Sequence, residues 1–342
     1  VSDREELVSD DDEFVRRADP FRRELLAHCY RPLGTVDEAE DLVQETYLRA
    51  WRSYSGFEGR SSLRTWLYRI ATNACLSALE NRGRRPLPSG LTDPVRTTNS
   101  EVTLRRVDGM WLEPIPDALV AQGTSDAADP AAVVVSRASV RLAFVAALQH
   151  LPARQRAVLI LRDVLGWRAR EVAELLGVTE SAVKSVLRRA RTQLTQVSTA
   201  DEELLEPQDP VARTLLEQYV QAFERADVET LTRLLADDAV LEMPPFSTWF
   251  AGRRAVADFA RSRIFRAPGE LWMTPTSANG QPAAAAYKRD LDGDYYAHGV
   301  HVLSVTERGI ARIVVFLTAE VFPSFGLPAR VSAAAISAAA RS

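Results

Sequence analysis

The side chains of this sequence best suited to chemistry are arginines, and their grouping suits phosphate. Lys184, Arg188, Arg189 and Arg191 crowd a segment that holds no acid from Ser181 to Leu194, and from Arg60 to Arg85 six arginines face one acid, Glu80. Such clusters neutralise nucleic-acid backbones, and an arginine on a guanine edge contributes about 1–3 kcal/mol of base discrimination. Acid gathers elsewhere, in Val1 to Glu13 and in Asp37, Glu38, Glu40, Asp41 and Glu45. A chain of formal net charge −4 that segregates charge in this way fits one surface for DNA and another for a protein partner.

A third group, His298, His301, Asp290, Asp294, Tyr295 and Tyr296, has the residue types of general acid–base catalysis. On a regular strand His298 and His301 point to opposite faces, so at most one lines a given pocket. No nucleophile–base pair and no metal-ligand cluster is visible. The expectation is a non-catalytic module, without metal or cofactor, whose candidate pocket at Tyr296 and His298 is empty or holds a small ligand. Cys29 and Cys75 lack a Cys-x-x-Cys spacing, which argues for buried free thiols over a disulfide framework or a zinc site.

These groups need scaffolds, and 342 residues with 46% hydrophobic and 26% charged content suffice for two or three globular domains. No run of about 18 apolar residues occurs. The stretch Val1 to Glu13 carries seven acids against one base, unlike a secretory signal, so a cytoplasmic protein with no membrane partner is expected. That acidic tail, 1–13, precedes a helical block over 14–85, in which Leu63, Leu67, Ile70, Ala74 and Ala78 trace an apolar stripe and Gly34, Gly56 and Gly59 punctuate the helices. Pro86 and Pro88 end it, because proline lacks an amide donor. Residues 86–130 read as a linker, with no sustained period and with seven acids against three arginines. Within it the apolar run Trp111-Leu112-Glu113-Pro114-Ile115-Pro116 stands out, and Trp111, Leu112 and Pro114 are candidate regulatory contacts.

Residues 131–197 are helical again and contain the parts of a helix-turn-helix. Ala173 is small where two helices cross, Gly177 suits a left-handed turn, and Thr179 suits a helix cap. If Val183, Val186, Ala190 and Leu194 face inward, then Ser181, Lys184, Ser185, Arg188 and Arg191 face outward, toward a major groove. After Pro207 and Pro210 the pattern changes. A helix over Val211 to Leu235, a strand at Ala239 to Met243, a basic helix near Arg253 to Phe265 and strands near Ala283 to Lys288, Tyr295 to Val305 and Ile310 to Thr318 predict an α+β domain over 207–330. A flexible tail over 331–342 follows. The fold class is thus multidomain: two all-α domains joined by a long linker, then an α+β domain.

The first helical block, from Asp37-Glu-Ala-Glu-Asp-Leu-Val-Gln-Glu-Thr-Tyr-Leu-Arg-Ala-Trp51 through Phe57, Ser62-Leu-Arg-Thr-Trp66-Leu-Tyr-Arg-Ile-Ala-Thr-Asn73 and Arg82-Gly-Arg-Arg85, closely resembles domain two of bacterial RNA polymerase sigma factors of the extracytoplasmic-function group. The helix-turn-helix resembles their domain four. The remainder is similar to a subset with a fused C-terminal domain of the SnoaL, nuclear-transport-factor-two-like cone fold, and Trp111-Leu112-Glu113-Pro114 to its tryptophan–leucine–proline linker motif. The resemblance implies that Asp41, Gln44, Glu45 and Leu48 dock on the β′ clamp helices of core RNA polymerase. It implies that Arg60, Arg64, Arg69, Asn73, Arg82 and Arg84 contact the minus-ten element of promoter DNA, with Trp66 and Tyr68 packing in the core or stacking on bases. It assigns Thr179, Ser181, Lys184, Ser185, Arg188 and Arg189 to the minus-thirty-five element, with the β flap as a further polymerase contact. The expected function is transcription initiation modulated by the linker and C-terminal domain. A one-component ligand-sensing regulator and a DNA-tethered cyclase or isomerase are the alternatives.

Overall fold

In the computed structural model, which describes residues 10–59, 61–80, 83–96, 102–109, 111–120, 135, 138–197 and 204–339, Gly34 marks where the first long helix stops. After α1 (Asp10–Ala18), helix α2 (Arg22–Leu33) ends at Gly34 in the left-handed region, φ 80°, its amide donating to the Tyr30 carbonyl. Glycine holds that conformation without a Cβ penalty. Thr35 then turns the chain into α3 (Val36–Ser53), and the Ser62 hydroxyl caps α4 (Leu63–Leu79) by accepting from the Thr65 amide. Each helix buries one stripe: Leu25, Tyr30 and Leu33 meet Val36, Ala39 and Val43 and, from α4, Leu67, Ala71 and Cys75. Cys29 and Cys75 are buried free thiols whose mutual hydrogen bond and burial push the Cys75 thiol up.

These helices share a unit with residues of the second helical block; the chain divides into Val1–Gly83, Leu119–Ser139 and Ala147–Val197 on one side and Arg84–Ala118, Val140–Ala146 and Ser198–Ser342 on the other. After the short α5 (Asp117–Val120) and α6 (Leu142–Leu148), the second block comprises α7 (Ala153–Leu159), α8 (Ala169–Leu176) and α9 (Glu180–Val197). Arg156 of α7, 6% exposed, joins it to the first block: it donates to the carbonyls of Leu151 and Gln149, to Gln149 Oε1, and to the Pro32 carbonyl at 2.7 Å. Pro32 lies in the last turn of α2, where carbonyls lack intrahelical partners, so one buried guanidinium satisfies both blocks.

The second unit is built on a sheet of order β2-β1-β6-β5-β4-β3, with β7 pairing β5. Its strands are β1 (Leu235–Glu242), β2 (Phe250–Ala251), β3 (Leu271–Ala278), β4 (Gln281–Arg289), β5 (Tyr295–Thr306), β6 (Gly309–Phe316) and β7 (Arg330–Val331). Only β1 and β6 run parallel among the paired strands. Helices α10 (Pro210–Glu224), α11 (Val228–Leu234) and α12 (Arg253–Phe259) cover it, and α13 (Ala333–Ala339) lies near the end of the chain. Ala283–Ala286 in β4 are fully buried, as the small residues of a strand covered on both faces.

Five expectations change. The helix over Val211 to Leu235 is two, because the chain turns at Ala226, φ 52°. The basic helix stops at Phe259 and continues as a π-turn over Ala260–Ile264. Strands β2, β3 and β7 stand where none was predicted, and α13 lies in the tail expected to be flexible. The linker, in its described part, is not free of structure: Val95 pairs with Phe250, Arg106 with Phe246 and Pro116 with Ala278. Strand β2 is a sheet edge, and chain laid against it occupies hydrogen bonds that an open edge would expose. Leu112 and Ile115 are fully buried, Trp111 only half so. Residues 97–101, 110 and 121–130 of the linker lie outside the described residues.

Candidate nucleic-acid interface and cone cavity

In the helix-turn-helix, Gly177 adopts φ 63° and ends α8, and the Val178 amide reaches back to the Ala173 carbonyl at 3.0 Å. Thr179 Oγ1 accepts from the Ala182 amide at 3.2 Å, capping α9. Val183, Leu187 and Ala190 are buried; Val186 and Leu194 are half-buried, so the inward stripe runs through Leu187 as well. Thr179, Ser181, Lys184, Arg188 and Arg189 are exposed and Ser185 half-exposed. Arg189 Nη1 donates to Ser185 Oγ at 3.4 Å, whereas Lys184 and Arg188 carry no ion pair among the described residues. Arg191, also on the outer face, is held by Asp163 through two bonds of 2.9 and 2.7 Å.

On α3 the side chains of Asp41, Gln44 and Leu48 are exposed and Glu45 is half-buried, paired with Arg49 at 2.7 Å. Spacings of three and four place them on one face, opposite the buried Ala39, Val43, Thr46 and Ala50. Leu48 is 50% exposed and Trp51 46%, an apolar strip inside an acidic one.

The basic group of α4 is divided. Asn73 is exposed and Arg69 half-buried. Arg64 is half-exposed and ion-paired: its Nε and Nη2 meet Glu24 Oε2 at 2.9 and 2.8 Å, and its guanidinium sits 4.9 Å from the Tyr68 ring centroid. Tyr68, buried, donates to the same carboxylate at 3.2 Å, and burial, with Glu24 nearby, pushes its phenol well up. Trp66 is half-buried, 4.9 Å from Phe57. Arg84 is exposed and belongs to the second unit. Arg60 and Arg82 lie outside the described residues.

The second unit encloses a cavity of about 190 Å³ between the sheet and its helices, with Phe223, Leu231, Met243, Phe259 and Val315 among its walls. Both His298 and His301 line it, against the expectation from regular alternation. Ala297 sits opposite Tyr287 and Gly299 opposite Ala286, so His298 is the extra residue of a β-bulge, which re-aims its side chain. Gly299 beside it is required by space: a Cβ there would stand 2.7 Å from the Phe316 carbonyl. Tyr296 does not line the cavity; it is 36% exposed and donates to Asp292 Oδ2 at 2.7 Å.

His301 is held neutral, its pKa lowered to about 3 by burial and by His298. Its Nδ1 lies 2.7 Å from the Tyr219 hydroxyl. Burial pushes that phenol well up, so it keeps its proton. Tyr219 has no other acceptor among the described residues, so it donates to Nδ1, and the imidazole proton resides on Nε2. A neutral imidazole fixed in this way is a donor, not a base.

Asn279 and Gly280 form the β3–β4 turn with φ 58° and 65°. Asn279 Nδ2 donates to the Val140 carbonyl at 2.7 Å, and the Gly280 amide donates to Asp117 Oδ1 at 2.7 Å. Gln281, next to them, accepts from the Leu142 amide at 3.0 Å. This turn thus fastens the end of the linker and Val140 and Leu142, all within the second unit. Sequence reasoning missed it, although an Asn-Gly pair between strands is a strong hairpin signal.

Together these features define a helix-turn-helix protein whose C-terminal part is a curved α+β cone. Residues 18–85 match the family model for Sigma-70 region 2, residues 141–194 that for Sigma-70, region 4, and residues 216–315 that for the SnoaL-like domain. The chain is 50% identical over 319 residues to the ECF RNA polymerase sigma factor SigG of Mycobacterium tuberculosis (strain ATCC 25618 / H37Rv), covering 92% of this chain and 84% of that one. It is 30% identical over 226 residues to SigJ of the same strain, covering 66% and 62%. The crystal structure of Mycobacterium tuberculosis SigJ superposes with TM-score 0.57 at 22% identity, covering 92% of this chain and 99% of that chain, which shows a shared fold. The chain belongs to the extracytoplasmic-function (ECF) RNA polymerase sigma factors. Its function is promoter-directed transcription initiation with core RNA polymerase. Among the described residues no helix is long and apolar enough to cross a membrane.

Proposed function

We propose that α3 carries the polymerase contact, through Asp41, Gln44, Glu45 and Leu48 on the β′ clamp helices, while α9 reads the minus-thirty-five element and contacts the β flap side of the enzyme. The observation that carries this reading is the outward face of α9, where Lys184 and Arg188 are exposed without ion pairs among the described residues. An unpaired cation loses no internal partner when it meets a phosphate or a base. On α4, Asn73 and Arg69 contact the minus-ten element, with Arg84, Arg60 and Arg82; Arg64 supports them through its pairing with Glu24. Steering by the acidic face of α3 speeds encounter, and burial of Leu48 slows dissociation.

The cone acts as a regulatory module and not an enzyme, acting where the polymerase is, in the cytoplasm. Its support is the β3–β4 turn, which holds both Ile115 of the linker and Val140. Its cavity holds a small ligand, with His301 as a fixed neutral donor on the wall. Pull-down of core polymerase with Asp41→Arg/Glu45→Arg tests the first assignment: loss of capture, with minus-thirty-five binding by the variant retained, is expected, and undiminished capture overturns it.

A further inference from the structure

The cavity's chemistry is uneven, and that unevenness selects a ligand. Most of its wall is aliphatic or aromatic, and its volume of about 190 Å³ lies just above that of an apolar void that takes benzene, about 150 Å³, and below the range of drug-sized sites, about 300–1,000 Å³. A ring with a short tail, or a chain of similar bulk, fills it; a polycyclic molecule does not.

The polar groups fall into two sets. One is the histidine pair His298 and His301, the latter neutral and bonded to Tyr219 behind the wall. The other is cationic: Arg263, Arg266 and Lys288, accompanied by Glu270, all line the cavity. Arg263 and Arg266 are exposed and make no hydrogen bond or ion pair among the described residues, and Lys288 stands 3.4 Å from Glu270. Three cations to one carboxylate leave this rim positive. His298 senses that field: burial and the Lys288 charge hold its imidazole below the ordinary value.

One wall comes from the linker. Leu104 lines the cavity and packs on the cone's core, and the chain around it is fastened to the cone: the Arg105 amide to Thr248 Oγ1 at 3.0 Å, the Ser247 amide to the Arg105 carbonyl at 2.8 Å, and the Val107 amide to the Pro245 carbonyl at 2.9 Å.

We propose that the cone binds a compact apolar carboxylate, its body in the cavity, its carboxylate on Arg263, Arg266 and Lys288, and that Leu104 closes over it so that occupancy tightens residues 102–107 of the linker. This rests on the reading of the cone as a ligand-holding regulatory module and names its ligand class. A carboxylate meets guanidinium groups in bidentate geometry, whereas an alcohol of equal bulk satisfies the walls alone.

The test uses the full chain, with octanoate and 3-phenylpropionate as probes and octan-1-ol as the neutral control, by titration calorimetry and by hydrogen exchange of the peptide spanning 102–109. The acids bind at least about tenfold more tightly than the alcohol, the ratio that charge-assisted hydrogen bonds supply. The surface variant Arg263→Met/Arg266→Met removes that preference and leaves alcohol binding unchanged. Octanoate slows exchange at 102–109, and Leu104→Ala abolishes the slowing. Equal binding of acid and alcohol overturns the ligand class while the ligand-holding cavity stands. Binding of neither overturns both. Acid binding without altered exchange at 102–109 overturns the part played by the linker.

Discussion

Asn279 and Ile115 exchange two hydrogen bonds, the Ile115 amide donating to Asn279 Oδ1 at 3.0 Å and the Asn279 amide to the Ile115 carbonyl at 2.9 Å. Both residues are fully buried, and Asn279 also holds Val140. Asn279→Ala leaves these groups unpaired at about 1–3 kcal/mol each and places a Cβ residue without local compensation in the left-handed region at about 1–2 kcal/mol. The expected outcome is a loss of several kcal/mol in chemical denaturation of the cone, with faster exchange at Ile115. Asn279→Asp keeps the acceptor for Ile115 and loses the donor for Val140, so Ile115 stays protected. Unchanged exchange at Ile115 in Asn279→Ala contradicts this role.

Arg156 satisfies Pro32, Gln149 and Leu151 with one buried guanidinium. Arg156→Ala orphans those carbonyls, and breaking such a buried network costs about 3–5 kcal/mol. The helical unit should therefore melt before the cone in calorimetry, while the unaltered chain keeps the two transitions closer together.

Arg64 and Asn73 should separate by readout. Arg64→Ala breaks the pairing with Glu24 and lowers stability by about 1 kcal/mol, whereas the exposed Asn73→Ala stays within about 0.5 kcal/mol. Asn73→Ala weakens promoter opening, read by permanganate reactivity, more than core binding. Equal loss of both contradicts its base-contacting role.

The helix-turn-helix was legible because its determinants are local: Ala173, Gly177 and Thr179 lie within one turn of the features they create. Partners far along the chain were not. Glu24, which takes Arg64, is forty residues away, and Ser247, which accepts from Thr92, is 155 away, so neither the pairing of the linker nor the partner of Arg64 shows in the local sequence. The break at Ala226 lacked any Gly or Pro to announce it, and Pro275 inside β3 argued against a strand. His298 reached the cavity through a bulge created beside Gly299, where the close Phe316 carbonyl belongs to another strand.

Stability should depend on pH through two buried histidines. His28 in α2 has its pKa lowered to about 3 by burial and by Arg31 and Arg64, as His301 has in the cone. The Thr72 hydroxyl donates to the Tyr68 carbonyl, so His28 Nε2 donates to Thr72, and its buried Nδ1 has no partner among the described residues. Each folded pKa lies below the unfolded value of 6.5. Below that pH the unfolded chain binds protons that the folded chain refuses, so the contribution is complete above 6.5 and declines as pH falls toward 3. Between pH 7 and 5 each histidine removes about 2 kcal/mol. His28→Gln should flatten the decline of the helical unit only, measured by denaturation at the two pH values.

On α9, Arg188→Ala and Lys184→Ala should each weaken minus-thirty-five binding, the phosphate-bound one reducing the salt slope by about 1 and the base-reading one costing about 1–3 kcal/mol of discrimination. Arg191→Ala, whose guanidinium is held by Asp163, should change neither in fluorescence anisotropy across a salt series.

Run-off transcription by purified core RNA polymerase decides the central claim. Supplied with this chain, the enzyme should start at one defined site on a promoter bound by α9, and Arg188→Ala/Lys184→Ala should abolish that start while core capture persists. Starts that are absent, or indifferent to both substitutions, contradict the account.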